Sequence, residues 1–571
     1  MLSGELRERL RHHLERIYPS RTELALEKVL NVCRPISRSP ADALWSERDT
    51  LLITYGDQIR GPGGARPLEL LERWLRSEGL EQAFSLVHLL PFFPYSSDDG
   101  FSVIDYRQVD PALGNWDDVS RLAATFDLMF DLVLNHVSQR SDWFQGYLRG
   151  DPRFADWFIE ADPADDLSRV VRPRSLPLLT RVETTRGPRH VWTTFSPDQI
   201  DLNYRTPDVL AEMIDILLLY VEKGARIIRL DAIAYLWKEL GTSCIHLPQT
   251  HEIVKLMRTV LDACAGGTLL LTETNVPHQE NISYFGNGDE AHMVYQFSLP
   301  PLLLDGLLHG DATFLRRWLA DLEPPAPATT FLNFTASHDG IGVRPLEGIV
   351  PPARFDALVT EVRGRGGRVS TRRQPDGSDS PYELNITYLD AVRDREAKGF
   401  RQQLRPFLTS QAVMLALRGI PAVYFHSLVG TPNDLEGVRQ SGQPRRINRH
   451  KYDWGELERA LESDNAAQGW LFRQYRHMLQ VRRSQPAFHP DAGQRVVELA
   501  SPAVLAVVRG EETGSPVCLL ANLGRQPVTV SAHELPLLTS CTMDCLSGQP
   551  VINEDDSLTL SAHQTLWLTG G

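Results

Sequence analysis

Hydrophobic and polar positions change rhythm twice along the chain. At the start, Leu6, Leu10, Leu14 and Ile17 recur at intervals of four, four and three residues in a charged stretch, the stripe of an amphipathic helix packed on a larger body. From residue 50 the apolar residues come in short unbroken runs: LLITYG from 51, SLVHLLPF from 85, LMFDLVLNH from 128 and RIIRLDA from 226. TLLLTET from 268, MVYQFS from 293, TFLNFTASHD from 330 and PAVYFH from 421 complete the series. A run that is apolar on both faces belongs to a strand covered on both sides, as in a parallel sheet under helices. Eight such units predict a closed (β/α)8 barrel, an α/β fold. After about residue 495 short strands and turns take over: RVVELA, AVLAVV, PVCLLANL, PVTVSA, LTLSA and TLWLTG.

The pattern thus predicts a helical extension over 1–49, a barrel over 50–494 and a small all-β domain over 495–571. Two connections are too long for a simple loop and helix. One covers about 138–205 after the third strand; the other covers about 340–400 after the seventh and contains RGRGGRVSTRRQPDGSDSPYE, which reads as a charged, mobile loop. Long insertions at the C-terminal ends of barrel strands are where such folds build their sites.

Charge and cysteine usage narrow the class. A net charge of −14 argues against a general nucleic-acid or anionic-membrane surface. The longest apolar runs, such as 216–221, are too short to span a bilayer, and the N-terminus lacks an apolar signal core. Six scattered cysteines form no CxxC pair, which predicts neither a zinc site nor a disulfide framework. The expectation is a cytoplasmic enzyme acting on small molecules; the chain carries no signal for oligomeric state.

Four polar clusters end the predicted strands. The third closes on Asp131 and the pair Asn135-His136, the fourth on Arg229 and Asp231, the fifth on Glu273 and Asn275, the seventh on His338-Asp339. Each cluster alone reads as a cap or loop residue. In order and on one rim, three carboxylates flanked by arginine and histidine suit glycosyl transfer, with one carboxylate as nucleophile and one carboxylic acid for the leaving oxygen. Arg229, two residues before Asp231, would keep that carboxylate ionised and oriented.

DLVLNH, RIIRLDA, TETN and ASHDG closely resemble the four ordered signatures of the α-amylase superfamily of retaining α-glucoside enzymes. The resemblance covers nearly all of the chain from residue 50. It implies Asp231 as nucleophile, Glu273 as acid/base and Asp339 as transition-state stabiliser, with His136, Arg229 and His338 binding the glucosyl ring. HLLPFFPYSSDDGFSVIDY, RPRSLPLLT, FSPDQIDLNY, GTSCIHLP and RRINRHKY are similar to the sucrose phosphorylase branch. By that resemblance Asp98 and Arg445 hold the far edge of glucose, Phe101 and Tyr235 form aromatic walls, and Gln199 faces the acceptor. The same likeness implies a metal-independent enzyme without cofactor, in which inorganic phosphate is a co-substrate met by Arg174, Tyr382 and Glu383.

Within the branch, SDDGFSVIDY, TETNVPH, DEAHMVYQFSLPP, DGSDSPYELN and the N-terminal extension resemble the enzymes that phosphorolyse glucosylglycerate. Glu383 stands where sucrose phosphorylases tend to carry glutamine. Glycerate needs a cation for its carboxylate, and Arg372, beside Arg373, is the expected reader. Fructose 6-phosphate would suit the same arginines, and sucrose and glucosylglycerol remain alternatives. A hydrolase or transglucosidase is a more distant reading. A silent sugar-binding barrel would be expected to lose Asp231 or Glu273, and both are present.

Overall fold

The computed structural model describes residues 4–37, 43–61, 63–374, 376–551 and 557–570. Residues 1–3 and 38–42 of the expected helical extension, and 552–556 and 571 of the expected β domain, lie outside the described residues. Eight parallel strands close into a barrel: β1 (Leu51–Thr54), β2 (Leu86–Leu89), β3 (Asp127–Val133), β4 (Ala225–Asp231), β5 (Leu269–Thr272), β6 (Met293–Tyr295), β7 (Thr330–Phe334) and β8 (Ile420–Tyr424). The first strand closes the ring on the last, Leu51 opposite Ala422 and Leu52 opposite Val423. These are the eight apolar runs of the sequence, and their residues are almost all buried. Closure leaves no free edge and brings all eight strand ends to one rim.

The apolar stripe behaves as its period requires. Leu6, Leu10, Leu14 and Ile17 are buried in the helix Gly4–Ile17, which packs on the barrel helix Pro248–Cys264. Arg16 and His13 both reach Glu252 on that partner.

After β3 the chain forms an antiparallel hairpin, Leu179–Thr184 with Gly187–Trp192, and a short ladder between His136–Ser138 and Gln199–Asp201. After β7 it forms the helix Pro352–Gly364 and a second hairpin, Arg368–Arg373 with Asp379–Asn385. Ile341–Gly342 adds to the edge of this hairpin, making a three-stranded sheet. The run expected to be a mobile loop is therefore largely strand. Its alternating pairs (Val369 with Leu384, Arg372 with Ser380) satisfy the backbone, and Leu384 anchors it in the core.

The C-terminal region holds a six-stranded sheet and a two-stranded one. Two of its strands, Cys541–Asp544 and Gln549–Pro550, escape the sequence pattern because neither is an apolar run. Arg509, fully buried, ties this sheet to the barrel by donating to Ala416 O at 2.6 Å.

Candidate active site

Residues two apart on a strand point to the same side, so Arg229 and Asp231 both turn into the barrel from β4. Arg229 Nη1 donates to Asp231 Oδ1 at 2.9 Å and also bonds Asp131 on the neighbouring β3. Asp131 in turn accepts from His88 Nε2 on β2 at 2.6 Å. The result is a buried series across three strands, in which Asp231 is fixed from behind by alternating charges. Arg229 is not part of the cavity wall; its visible partners are the two carboxylates, Asp231 and Asp131. The sequence marks Asp131 only as part of a strand-end cluster and does not mark His88; its inward register within an apolar run is the available signal.

Glu273 follows β5 and accepts from Ala232 N–H at 3.1 Å. Ala232 holds a left-handed φ of 52°, a costly conformation for a residue with a Cβ, and in this turn its amide serves Glu273. Burial pushes the Glu273 carboxyl above its ordinary range. Burial also pushes Asp231 up, against the opposing charge of Arg229. Asp231 has the charged hydrogen bond and Glu273 only a backbone amide, an asymmetry that favours the ionised form of Asp231 over that of Glu273.

Asp339 follows β7. Burial would raise it, but Arg445 and Arg449 outweigh burial and hold it below the ordinary carboxylate range. Arg445 Nη1 lies 2.6 Å from Asp339 Oδ1. His338 stacks on Phe101 with ring centroids 4.8 Å apart and planes 2° from parallel. Burial and the guanidiniums of Arg449 and Arg229 push His338 well down, so it is neutral.

These groups surround a narrow cavity of about 80 Å³. Of the expected site residues, Asp98, Phe101, His136, Arg174, Gln199, Asp231, Tyr235, Glu273, His338, Asp339, Tyr382, Glu383 and Arg445 line it. His136 Nε2 donates to Phe101 O at 2.9 Å, and the Gln199 amide lies 3.2 Å from the same nitrogen. Asp98 and Arg445 share the cavity, but their ion pairs differ: Asp98 lies 3.5 Å from Arg449, and Arg445 serves Asp339 and Glu383. Glu383 and Tyr382 are buried rather than solvated, and Arg174 sits over the Tyr382 ring at 5.4 Å.

Arg372 is not on the wall. It lies on the hairpin strand with Nη2 donating to Glu347 at 3.0 Å, opposite Ser380 and so on the face of the hairpin that carries Tyr382. Arg373 pairs with Asp379 at 2.9 Å.

A buried ammonium sits beside the site. Lys238 Nζ donates to Asn135 Oδ1 and reaches Asp201 Oδ2, each at 2.6 Å. Asn135 Nδ2 is 3.2 Å from His136 Nδ1, so Lys238 helps to orient that imidazole. No group of three or more His, Cys, Asp or Glu side chains that could hold a metal ion occurs among the described residues.

A (β/α)8 barrel whose strand ends gather an arginine-held aspartate, a buried glutamate and a third aspartate is a glycoside-processing enzyme of the α-amylase type. Residues 81–306 match the Alpha-amylase family, described as the alpha amylase catalytic domain. A glucosylglycerate phosphorylase of Allomeiothermus silvanus is 49% identical over 540 residues, covering 94% of this chain and 96% of that protein. One from Spirochaeta thermophila is 46% identical and covers 98% of each chain. The solved sucrose 6F-phosphate phosphorylase of Thermoanaerobacter thermosaccharolyticum superposes with a TM-score of 0.72 at 27% identity, over 84% of this chain and 94% of that one. The chain belongs to the glucosylglycerate phosphorylase family of the α-amylase superfamily.

Proposed function

We propose that the chain catalyses the reversible phosphorolysis of 2-O-α-D-glucosyl-D-glycerate to α-D-glucose 1-phosphate and D-glycerate, with retention at the anomeric carbon. The carrying observation is the pairing of an Arg229-held Asp231 with a buried Glu273 whose carboxyl is raised by burial, in a chain similar along nearly all its length to phosphorylases of that substrate.

Asp231 attacks the anomeric carbon as the bond to the glycerate oxygen breaks, and Glu273 gives that oxygen its proton. Asp339, kept ionised by Arg445 and Arg449, stabilises the positive charge that develops on the ring. Phe101, His338, His136, Asp98 and Gln199 are the proposed contacts of the donor glucose and its acceptor edge. In the second step phosphate, steered by Arg174 beside Tyr382 and Glu383, gives its proton to Glu273 and attacks the same carbon, and Asp231 leaves. Two displacements restore the α configuration. The reaction uses inorganic phosphate as co-substrate and needs no other cofactor. The six cysteines are free thiols, in keeping with the cytoplasmic location we propose.

The test is an acceptor screen with α-glucose 1-phosphate. Phosphate release with glycerate well above that with glycerol, fructose or fructose 6-phosphate is the expected result. A preference for fructose 6-phosphate or fructose would move the enzyme to the sucrose side of the branch, and release with water alone would make it a hydrolase.

A further inference from the structure

Charge does not balance behind the aromatic wall of the cavity. Arg344 and Arg372 share one carboxylate: Glu347 Oε1 accepts from Arg372 Nη2 at 3.0 Å and lies 3.7 Å from Arg344 Nε. The Nε atoms of both arginines are buried without a hydrogen-bond partner. The Arg344 and Arg372 side chains are 9% and 15% exposed, whereas Glu347 is 45% exposed. Two largely buried cations thus face one carboxylate that is half in water, and water weakens its compensation.

The excess lies next to the cavity wall that carries Tyr382. Gly342 lines the cavity, and Val343 N donates to Tyr382 O at 3.1 Å, so Arg344 begins where the wall ends. Burial raises the Tyr235 and Tyr382 phenols, while Arg174 and Arg344 act on both in the opposite sense, which puts both guanidiniums within electrostatic reach of the wall. Arg174 has Glu383 as a buried neighbour at 3.7 Å; among the described residues Arg344 is paired with Glu347 alone, which it shares with Arg372. Uncompensated buried cations cost stability, and an anionic acceptor at the wall would offset that cost.

We propose that Arg344 is a specificity-determining residue: with Arg372 it supplies the positive potential that selects an acidic acceptor over a neutral polyol, and Glu347 attenuates that potential. The proposal rests on the glucosylglycerate reading above and gives Arg344 and Glu347 opposite effects on one quantity, which no purely structural role would do.

The experiment measures kcat/KM for glycerate and for glycerol, in synthesis from α-glucose 1-phosphate, and takes their ratio. Arg344→Ala should lower the glycerate-to-glycerol ratio by about tenfold or more, chiefly through KM for glycerate. Glu347→Gln keeps the shape but loses the charge, and should raise the ratio by about threefold. Arg344→Lys keeps the charge and should restore most of the ratio; with Glu347→Gln it decides the matter if Arg344→Ala does not fold. A ratio that stays at the wild-type value in Arg344→Ala, or that moves in the same direction in Arg344→Ala and Glu347→Gln, overturns the proposal. Wild-type enzyme that makes no product with glycerate overturns the acceptor assignment itself, and this inference with it.

Discussion

Arg445 grips Glu383 through two hydrogen bonds, Nε to Oε1 at 3.0 Å and Nη2 to Oε2 at 2.8 Å, while its Nη1 holds Asp339 at 2.6 Å. One planar guanidinium thereby fixes a barrel carboxylate against the hairpin that follows β7. Glu383 also accepts from Gly340 N at 2.5 Å and lies 3.7 Å from Arg174. The Glu383 carboxylate is therefore a brake on the charge of the proposed phosphate-receiving arginine.

Glu383→Gln should release that brake. The amide keeps the fork's shape but loses its charge, so KM for phosphate should fall by about five- to tenfold, roughly 1 kcal/mol. The turnover number should fall with it, because Arg445 holds Asp339 less firmly. Initial rates of phosphorolysis at varied phosphate check both signs. Glu383→Ala should instead cost about 1–3 kcal/mol of stability, since Arg445 loses two hydrogen bonds and keeps only Asp339.

Asp231→Asn should lower phosphorolysis by several orders of magnitude, with the fold intact. The amide cannot form the glucosyl ester, and it cannot accept the charged bond from Arg229 in the same way. With the wild-type enzyme, proton NMR of the first-formed sugar phosphate should show the α anomer alone. A β product would exclude a two-step route through Asp231.

Glu273 sets the alkaline limit. Its carboxyl is raised by burial, and it must be protonated to assist the departing glycerate oxygen. Activity on glucosylglycerate should thus fall as pH rises through that raised value, and Glu273→Gln should cost about 10²–10⁴-fold. α-Glucosyl fluoride needs no proton to leave, so in the glycosylation step it should lose far less to Glu273→Gln. Equal losses for the two donors would contradict the acid role.

Lys238→Met tests the buried ammonium. Removing it leaves Asp201 and Asn135 without their cation in a dry pocket, for a loss of about 3–5 kcal/mol. Chemical denaturation should show the loss. Turnover should also fall in the variant, because Asn135 no longer steadies His136.

The barrel was legible because both faces of each strand are covered, which writes a continuous apolar run into the sequence; β1 to β8 all carry one. The carboxylates Asp231, Glu273 and Asp339 were legible because each directly follows such a run. What lay hidden depended on partners distant in the chain. Nothing local marks Lys238 as the neighbour of Asn135, 103 residues away, or Arg449 as that of Asp99, 350 residues away. The hairpin at 368–385 was read as loop because strand residues with one polar face and many arginines carry the composition of a solvated segment. Nor does anything local pair Arg372 with Glu347, 25 residues away.

The sheet formed by Ile341–Gly342 and the hairpin Arg368–Asn385 begins two residues after Asp339 and ends before β8. In the proposed reaction, then, part of the acceptor flank is written on a different stretch of chain from the bond chemistry: the carboxylates sit at the ends of barrel strands, and Tyr382 and Glu383 sit on one inserted sheet. Evolution can rewrite what receives the glucose without touching how it is transferred. An exchange of that sheet between relatives must nonetheless honour one tether. A graft that omits the carboxylate of Glu383 leaves Arg445, in the turn 444–448 beyond β8, holding nothing on that side.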